Sequence, residues 1–314
     1  MQELFSYRRK DGVIIFENVD KFALKKINIH IPKGLTVGLL GESGSGKSTF
    51  LRLCAGNLEP ESGCIYVGNA KSRTCGKKKG RTFGILLDRA TNIQSDLSAR
   101  DNLESLKYIY QIEDEDFKSR YQIFSEELGF AEYENKKIRD LSLGQKRRVE
   151  IAAAFFHNPD IILLDEPTTG LDVNGKGKMQ EFIRKREEQG LTTVIASQDV
   201  NEICDSCSRV CVLEEGRIAF WGSKDMLLKT FNPIETMQLV IQGALPDLAD
   251  LPIQFYSIDD QTVTLIYDSR VIRSSEILSI LIPTIHIREM TIRKPSIRDI
   301  MMKGMSTNES KQLY

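Results

Sequence analysis

The chain has 314 residues, of which 41% are hydrophobic and 28% are charged. This is an ordinary globular composition, and about two domains are expected at roughly 150 residues per domain. The 43 Lys and Arg residues nearly balance the 44 Asp and Glu residues and leave a formal net charge of −1, which argues against a general polyanion-binding surface and a nucleic-acid partner but allows a local phosphate site.

Membrane and secretory segments are not expected from the sequence. A membrane-spanning helix needs roughly 18–20 consecutive apolar residues, whereas the apolar run Ile277–Ile285 is about half that length and contains Pro283. The basic residues at positions 8–10 have no long apolar stretch behind them, so this segment does not resemble a signal peptide. We expect a chain that neither spans a membrane nor enters the secretory route.

The first two thirds of the sequence alternate strand-like and helix-like patterns. Apolar runs typical of strands occur at 12–19, 27–34, 35–40, 82–87, 161–166 and 192–197, and a hairpin is predicted at 209–222 with its turn at Glu215–Gly216. Helical spacing follows the third strand, fills about 96–140, and returns from 141 onward and at 179–189. Buried strands alternating with helices indicate an α/β fold whose parallel sheet is covered by helices.

The pattern changes after Gly222. The predicted elements are a helix at 225–230, a strand at 237–241, a short helix at 245–251, a hairpin of 253–258 with 263–267, a helix from about 274, a strand at 285–293 and a last helix near Pro295. Strand, helix, strand, strand, helix, strand is the ferredoxin-like order. The sequence therefore predicts two domains, 1–222 and 223–314, the second a small accessory α/β sandwich.

Three of the six cysteines, Cys204, Cys207 and Cys211, lie close together in the sequence. This clustering suggests a metal or redox site, but no His lies nearby and a fourth ligand is missing. The alternative, which we favour, is three reduced thiols on a helix end and the strand that follows.

A glycine-rich segment follows the strand at 35–40. Its residues Gly41, Glu42, Ser43, Gly44, Ser45, Gly46, Lys47 and Ser48 fit GxxxxGK[ST], and Thr49 comes next. Glycines let successive backbone N–H groups point at phosphate oxygens, and the helix that follows adds the positive end of its dipole. Lys47 would contact the β- and γ-phosphates, and the Ser48 hydroxyl would bind Mg²⁺. A fortuitous glycine-rich turn is the weaker interpretation.

The apolar strand at 161–166 ends in two carboxylates, where ligands bind at the carboxyl edge of such sheets. Asp165 would support Mg²⁺, and Glu166 would orient or deprotonate an attacking water. A strand followed by a common acidic turn is the alternative interpretation.

A helix about twenty residues earlier opens with a possible second anion site. Ser142, Leu143, Gly144 and Gln145 stand at its N-terminus, where the helix dipole favours a negative ligand. The alternative is an N-cap serine on a core helix.

In this order, these segments resemble the ATP-binding-cassette (ABC) ATPases over roughly residues 12–222. The resemblance rests on the phosphate loop at 41–48, the LSLGQ signature at 141–145, the strand ending in Asp165 and Glu166, and EPTTGLD at 166–172. It implies a P-loop NTPase fold of ABC type with a helical subdomain at about 88–140. It also implies an ATPase that uses ATP and Mg²⁺.

The resemblance further implies a head-to-tail homodimer or heterodimer of ATPase subunits. Each ATP would lie between the phosphate loop of one subunit and the signature segment of the other. Leu171 and Asp172 would correspond to the D-loop at the dimer seam. Phe22 would be the aromatic residue that stacks on adenine, although a core Phe is nearly as good an interpretation.

Two residues depart from the family pattern. Asp88 stands where the family usually has the Gln of its Q-loop, and its carboxylate can still contact Mg²⁺ or water. Gln198 stands where the family usually has a switch His; its amide can donate a hydrogen bond to the γ-phosphate but cannot carry a proton or a positive charge. We expect slowed or differently tuned hydrolysis, with Glu166 keeping the enzyme active.

The implied role is the ATPase subunit of a transporter, peripheral on the cytoplasmic face of the membrane and docked to a separate permease through the helical subdomain. Residues 97–103 and 294–301 resemble segments of drug, antibiotic and bacteriocin exporters, which favours export. The alternatives are a soluble regulatory ATPase, a ribosome- or DNA-associated ATPase, and an importer subunit. A single cassette with compact spacing counts against the ribosome and DNA types.

Overall fold

The computed structural model describes residues 12–68, 70–71, 83–87, 93–231, 234–242, 248 and 251–293. Backbone contacts divide the chain into two compact units, Met1–Trp221 and Gly222–Tyr314. Asp88, the helix predicted near Pro295 and most of the helix predicted at 245–251 lie outside the described residues. Within the described part of the chain, no helix is long and apolar enough to cross a membrane.

Strands and helices alternate along the first unit. Its strands are β1 (Gly12–Lys21), β2 (Leu24–Pro32), β3 (Thr36–Leu40), β4 (Ser62–Val67), β5 (Ala70–Lys71), β6 (Phe83–Leu86), β7 (Ile161–Asp165), β8 (Thr192–Ser197), β9 (Arg209–Glu214) and β10 (Arg217–Ser223). Its helices are α1 (Lys47–Cys54), α2 (Ala99–Tyr110), α3 (Asp114–Leu128), α4 (Leu143–Phe155), α5 (Val173–Glu188) and α6 (Val200–Ser206), with 3₁₀ turns at Ala131–Tyr133 and Ile138–Asp140.

These strands form two sheets. One is antiparallel, in the order β2-β1-β4-β5, and the other has six strands in the order β10-β9-β3-β8-β7-β6. In the second sheet β3 runs parallel to β8 and β9, and β7 runs parallel to β6 and β8. This confirms the predicted parallel sheet. The hairpin of β9 and β10 turns at Glu215 and Gly216, which both have the positive φ that a tight two-residue turn requires.

Helix α1 is held by both sheets, because its apolar side chains join one buried cluster with residues of β1 and of the parallel strands. The ring of Phe50 stacks on Phe16 of β1 with centroids 4.4 Å apart and planes 4° from parallel. Both side chains are buried. The helix that follows the phosphate loop is thereby fixed in position.

Two helices, α2 and α3, occupy the region predicted to be helical between about 88 and 140. Ser98 caps α2 through a reciprocal capping box with Asp101. Along α3, Phe117 and Phe124 meet Phe156 edge-on, and Phe124 also meets Phe182 of α5 with centroids 5.0 Å apart. Interlocking aromatic rings therefore anchor this helical segment to the helices that cover the parallel sheet.

The second unit contains α7 (Lys224–Phe231), β11 (Ile234–Gln242), β12 (Phe255–Asp259), β13 (Thr262–Asp268), α8 (Ser274–Leu281) and β14 (His286–Arg293). Its sheet is antiparallel with the order β12-β13-β11-β14. This order and these directions are those of the ferredoxin-like arrangement. Leu248 and Leu251, the two described residues of the helix predicted at 245–251, are buried, but neither lies in a helix.

Several helix and strand boundaries differ from the sequence predictions. Helix α5 begins at Val173, six residues before the predicted start, because Asp172 caps it by accepting a hydrogen bond from Gly175 N at 2.9 Å. Gly175 and Gly177 interrupt the apolar spacing there, which hid the first turn. Strand β11 likewise extends beyond its predicted range of 237–241 at both ends.

The clustered cysteines lie in the interior of the first unit or at its margin. Cys207 and Cys211 are buried, and Cys204 is partly buried. Among the described residues no group of three or more potential ligands could hold a metal ion. Burial raises the pKa of the Cys211 thiol, so this thiol stays protonated and packs as a small apolar residue.

Candidate nucleotide-binding site

Three strand ends meet at one edge of the parallel sheet. Leu40, the last residue of β3, is paired with Ser197 at the end of β8, and Ala196 of β8 is paired with Asp165 at the end of β7. The glycine-rich loop therefore leaves the same edge of the sheet that carries Asp165 and Glu166, with β8 lying between β3 and β7. This is the carboxyl edge, where α/β sheets bind their ligands.

The phosphate loop, residues 41–48, is shaped by its glycines. Gly46 has φ of 107°, a conformation that L side chains rarely adopt, and it stands directly before α1. A Cβ atom on Gly41 would lie 2.5 Å from the carbonyl oxygen of Leu213, whereas one on Gly44 would meet open space. The hydroxyl oxygen of Ser45 is buried without a hydrogen-bond partner among the described residues. The loop thus combines a close-packed base with an open, polar front, and Glu42 and Ser43 are exposed.

The Lys47 ammonium group lies inside this loop. Its Nζ atom donates hydrogen bonds to the carbonyl oxygens of Gly41 at 2.7 Å and of Glu42 at 2.9 Å. The side chain is only 7% exposed. Burial lowers the pKa of Lys47, while the nearby charges of Glu166, Asp165 and Glu42 oppose that shift. The cation therefore lies in the electrostatic field of Asp165, which ends β7, and of Glu166, which follows it.

Glu166 has a positive backbone φ, and only one of its two carboxylate oxygens accepts a hydrogen bond within the described part of the chain. Its φ is 46°, and its N–H donates to the carbonyl oxygen of Ala196 at 2.9 Å. Arg147 donates to the Glu166 carbonyl oxygen at 3.1 Å. Oε2 of Glu166 accepts a long hydrogen bond from Ser197 Oγ at 3.4 Å, while Oε1 is buried without a hydrogen-bond partner in the described part of the chain. An unpaired carboxylate oxygen can accept a hydrogen bond from water.

Hard oxygen donors suited to Mg²⁺ are present at the same edge. Ser48 and Thr49 lie in the first turn of α1, where Ser48 is exposed. The Asp165 carboxylate is 3% exposed and ends β7. A hydroxyl, a carboxylate and the oxygens of a nucleotide match the ligands that Mg²⁺ prefers, so these residues fit the predicted metal. Asp88, the third predicted metal ligand, lies outside the described residues.

The signature segment forms a capped helix start. Ser142 Oγ accepts a hydrogen bond from Gln145 N at 3.2 Å, and Gln145 Oε1 accepts one from Ser142 N at 3.0 Å. Ser142 is exposed, and Leu143 is 63% exposed. The N-cap interpretation is therefore correct as a structural description, and it leaves the hydroxyl of Ser142 at the protein surface.

The predicted D-loop packs against this signature segment. A Cβ atom on Gly144 would lie 2.5 Å from the carbonyl oxygen of Gly170. Asp172 accepts a hydrogen bond from Arg148 of α4 at 2.9 Å, and Leu171 is buried. The structure therefore brings Gly144, Leu171 and Asp172 together within one chain.

The remaining predicted residues lie at the surface. Phe22 is 66% exposed in the turn between β1 and β2, and the ammonium of Lys21 lies 4.5 Å from its ring centroid. The core interpretation of Phe22 is therefore wrong, because this turn projects the ring into solvent. Gln198 is exposed and directly follows β8.

Three residues near Glu166 were not singled out in the sequence. Ser197 and Glu202 are buried polar residues, and Arg147 contacts both the Glu166 backbone and Glu150. Ser197 closes an apolar run and looked like an ordinary strand end. Glu202 falls on a short helix without a motif around it. A buried Glu cannot be recognised in a sequence whose exposed surface also carries many acidic residues.

A phosphate loop between a buried strand and a helix, with acidic residues at the end of another parallel strand of the same sheet, defines a P-loop nucleotide-hydrolysing domain. Residues 24–169 match the family described as ABC transporter. The ABC transporter ATP-binding protein NatA of Bacillus subtilis is 32% identical over 208 residues, which cover 66% of this chain and 85% of that protein. The chain belongs to the ABC transporter family and is an ATP-hydrolysing subunit of it.

Other relatives match over similar lengths of this chain. The linearmycin resistance ATP-binding protein LnrL of Bacillus subtilis is 30% identical and covers 71% of each chain. The Nod factor export ATP-binding protein I of Burkholderia thailandensis is 31% identical and covers 67% of this chain and 69% of that protein. Among solved structures, the dimeric bacterial ABC transporter cassette MJ0796 matches with a TM-score of 0.61 and 29% identity, covering 67% of this chain and 98% of that one.

Proposed function

We propose that this chain powers export through a separate membrane-spanning partner, working as a head-to-tail dimer on the cytoplasmic face. The observation that carries the dimer is the exposed start of α4, where Ser142 and Leu143 face solvent at the predicted ATP-contacting signature. A helix N-terminus of this kind favours a phosphate from another subunit. The MJ0796 cassette is described as a dimer, which supports the same arrangement.

Export is supported by the names of the relatives. Two of them are named for linearmycin resistance and Nod factor export. We propose that the partner docks on the helical segment that contains α2 and α3. Tyr108 and Ile109 are each 69% exposed there, and exposed apolar residues in a group are typical of contact surfaces.

In the proposed mechanism each site residue acts on ATP or water. Backbone N–H groups of the phosphate loop and the Lys47 ammonium bind the phosphates. When Lys47 turns toward the phosphates, it gives up its hydrogen bonds to the carbonyl oxygens of Gly41 and Glu42. Phe22 offers its exposed ring to adenine. Ser48 and Asp165 would hold Mg²⁺, which neutralises phosphate charge when bound.

Glu166 acts as the base toward water. Its Oε1 atom is free to accept a proton from a water molecule, while the hydrogen bond from Ser197 holds Oε2. Gln198 donates a hydrogen bond to the γ-phosphate from the neighbouring strand end but holds no proton. Leu171 and Asp172 transmit movement between the signature helix and the dimer seam through the contact of Arg148 with Asp172.

The site assignment is tested with Lys47→Ala and Glu166→Gln. We expect Lys47→Ala to lose ATP binding, because the buried cation is removed from the phosphate loop. Glu166→Gln should bind ATP, hydrolyse it at least ~100-fold more slowly, and accumulate as an ATP-bound dimer in size-exclusion chromatography. The matched control is Glu187→Gln, which changes a Glu whose partner is Ser208. Normal turnover in Glu166→Gln would remove Glu166 from the role of base.

The transport assignment needs a second experiment. A candidate partner is a protein with several apolar segments of about 20 residues encoded next to this chain. The chain is expressed with and without such a partner, and ATP turnover is measured after purification in detergent. We expect the partner to co-purify in a fixed ratio and to change the turnover. Equal turnover with no complex would contradict the transporter role while leaving the ATPase intact.

A further inference from the structure

The hydroxyl of Ser197 lies between two glutamates. Its Oγ atom is 2.6 Å from Glu202 Oε2 and 3.4 Å from Glu166 Oε2, and it accepts a hydrogen bond from Asp199 N at 3.0 Å. Ser197 is fully buried, and Glu202 is 4% exposed. Two carboxylates therefore share one serine behind the edge of the sheet where Glu166 stands.

A serine hydroxyl has one proton and two lone pairs. If Glu202 were ionised, Ser197 would donate its proton along the 2.6 Å contact to Glu202, and Glu166 would receive no hydroxyl donor. If Glu202 carries a proton, it donates to Ser197 Oγ, which already accepts from Asp199 N. The serine proton is then available for Glu166, and all three hydrogen-bonding positions of Ser197 are used.

The surroundings of Glu202 favour the protonated form. Burial raises the pKa of Glu202, and the negative charges of Glu166 and Asp199 raise it further, against opposing hydroxyls of Ser197 and Thr168. Glu202 Oε1 is also buried without a partner of hydrogen-bond geometry among the described residues. A buried oxygen that lacks a partner is far less costly on a neutral carboxyl group than on a carboxylate.

The fold explains why Glu202 reaches this serine. Asp199 caps α6 by accepting from Asn201 N at 2.8 Å and from Glu202 N at 3.3 Å. The helix then packs close to β3, where a Cβ atom on Gly38 would lie 2.3 Å from Ile203 Cγ2. The cap and the close packing together direct Glu202 toward the end of β8.

We propose that Glu202 is a positioning residue for Glu166 and acts through the hydroxyl of Ser197. This proposal rests on the proposed role of Glu166 as base. The hydrogen bond from Ser197 holds one carboxylate oxygen and leaves Oε1 to face water. Without Glu202, Ser197 Oγ keeps only its hydrogen bond from Asp199 N, so the direction of its proton toward Glu166 is less constrained.

The test compares Glu202→Ala, Glu202→Gln and Ser197→Ala in steady-state ATP hydrolysis and in binding of a fluorescent ATP analogue. Glu202→Ala and Ser197→Ala should lower kcat about ten-fold, because a mispositioned base loses part of its catalytic effect. Their affinity for the analogue should change less than about two-fold. Glu202→Gln should recover most of the kcat that Glu202→Ala loses, because its amide N–H donates to Ser197 as the protonated carboxyl group does.

The control is Glu187→Ala, which removes a Glu–Ser hydrogen bond of 2.8 Å beside Thr36, at the opposite end of β3. A kcat for Glu202→Ala equal to that of the control would overturn the proposal, as would a Gln variant as slow as the Ala variant. If Glu202→Ala does not fold, Ser197→Ala decides, since an unchanged kcat there also overturns it. Normal turnover in Glu166→Gln would instead overturn the proposed function.

Discussion

Replacing Ser142 separates the structural role of the signature serine from its proposed contact with ATP. Ser142→Ala removes the acceptor of the Gln145 N–H. This N–H lies in the first turn of α4 and has no carbonyl partner within the helix. Loss of an N-cap side chain costs about 1 kcal/mol, whereas Gly at an N-cap costs only a few tenths. For a unit of this size, we expect Ser142→Ala to lower Tm by about 2–4 °C and Ser142→Gly to lower it clearly less.

The two variants should behave alike in catalysis, because both lack the hydroxyl proposed to contact ATP across the dimer. Thermal unfolding followed by circular dichroism gives Tm, and steady-state hydrolysis gives turnover with saturating ATP. We expect turnover to fall in both variants regardless of their difference in Tm. Ser142→Gly melting below Ser142→Ala would refute the capping argument. If Ser142→Gly kept more turnover than Ser142→Ala in proportion to its higher Tm, the proposed contact of the Ser142 hydroxyl with ATP would be refuted.

Two further predictions concern stability. Phe50→Ala should lower the free energy of unfolding by about 3–5 kcal/mol, since Phe50 is fully buried and stacked on Phe16; urea unfolding measures it, and a loss no larger than for the exposed Tyr108→Ala would contradict it. The raised pKa of Glu202 means that the folded chain binds more protons than the unfolded one above the ordinary value of 4.5, so this group's contribution to stability decreases as pH rises. Glu202→Gln has no titrating group at this position, so its free energy of unfolding relative to the wild type should increase from pH 5 to pH 8. A difference in free energy of unfolding that stays constant over this range would contradict the raised pKa of Glu202.

The parts of the site that form short motifs could be predicted from the sequence. The phosphate loop and the strand ending in Asp165 have local spacing that fixes their geometry, and their meeting follows from the rule that parallel strands share a carboxyl edge. The early start of α5 could not be predicted from periodicity, because Gly175 and Gly177 weaken helical propensity while the Asp172 cap compensates.

Glu202 shows a different limit of sequence reasoning. It lies five positions after Ser197 in the sequence, and nothing in that spacing says that the two side chains meet. Their contact depends on the Asp199 cap and on how closely α6 can approach Gly38. Contacts of this kind come from the packing of a helix on a sheet, and they become visible only when both elements are placed.

The connection between β8 and α6 also explains how the site accommodates Gln198 where the family pattern has His. The described hydrogen bond to the Glu166 carboxylate comes from Ser197, and Ser197 is held by Asp199 N and Glu202. The orientation of the base therefore depends on the residues before and after position 198. A Gln at this position changes what can be donated to the γ-phosphate but leaves the support of Glu166 in place. The proposed role of Gln198 toward the γ-phosphate and the proposed role of Glu202 toward Glu166 thus fall on separate residues of the connection between β8 and α6.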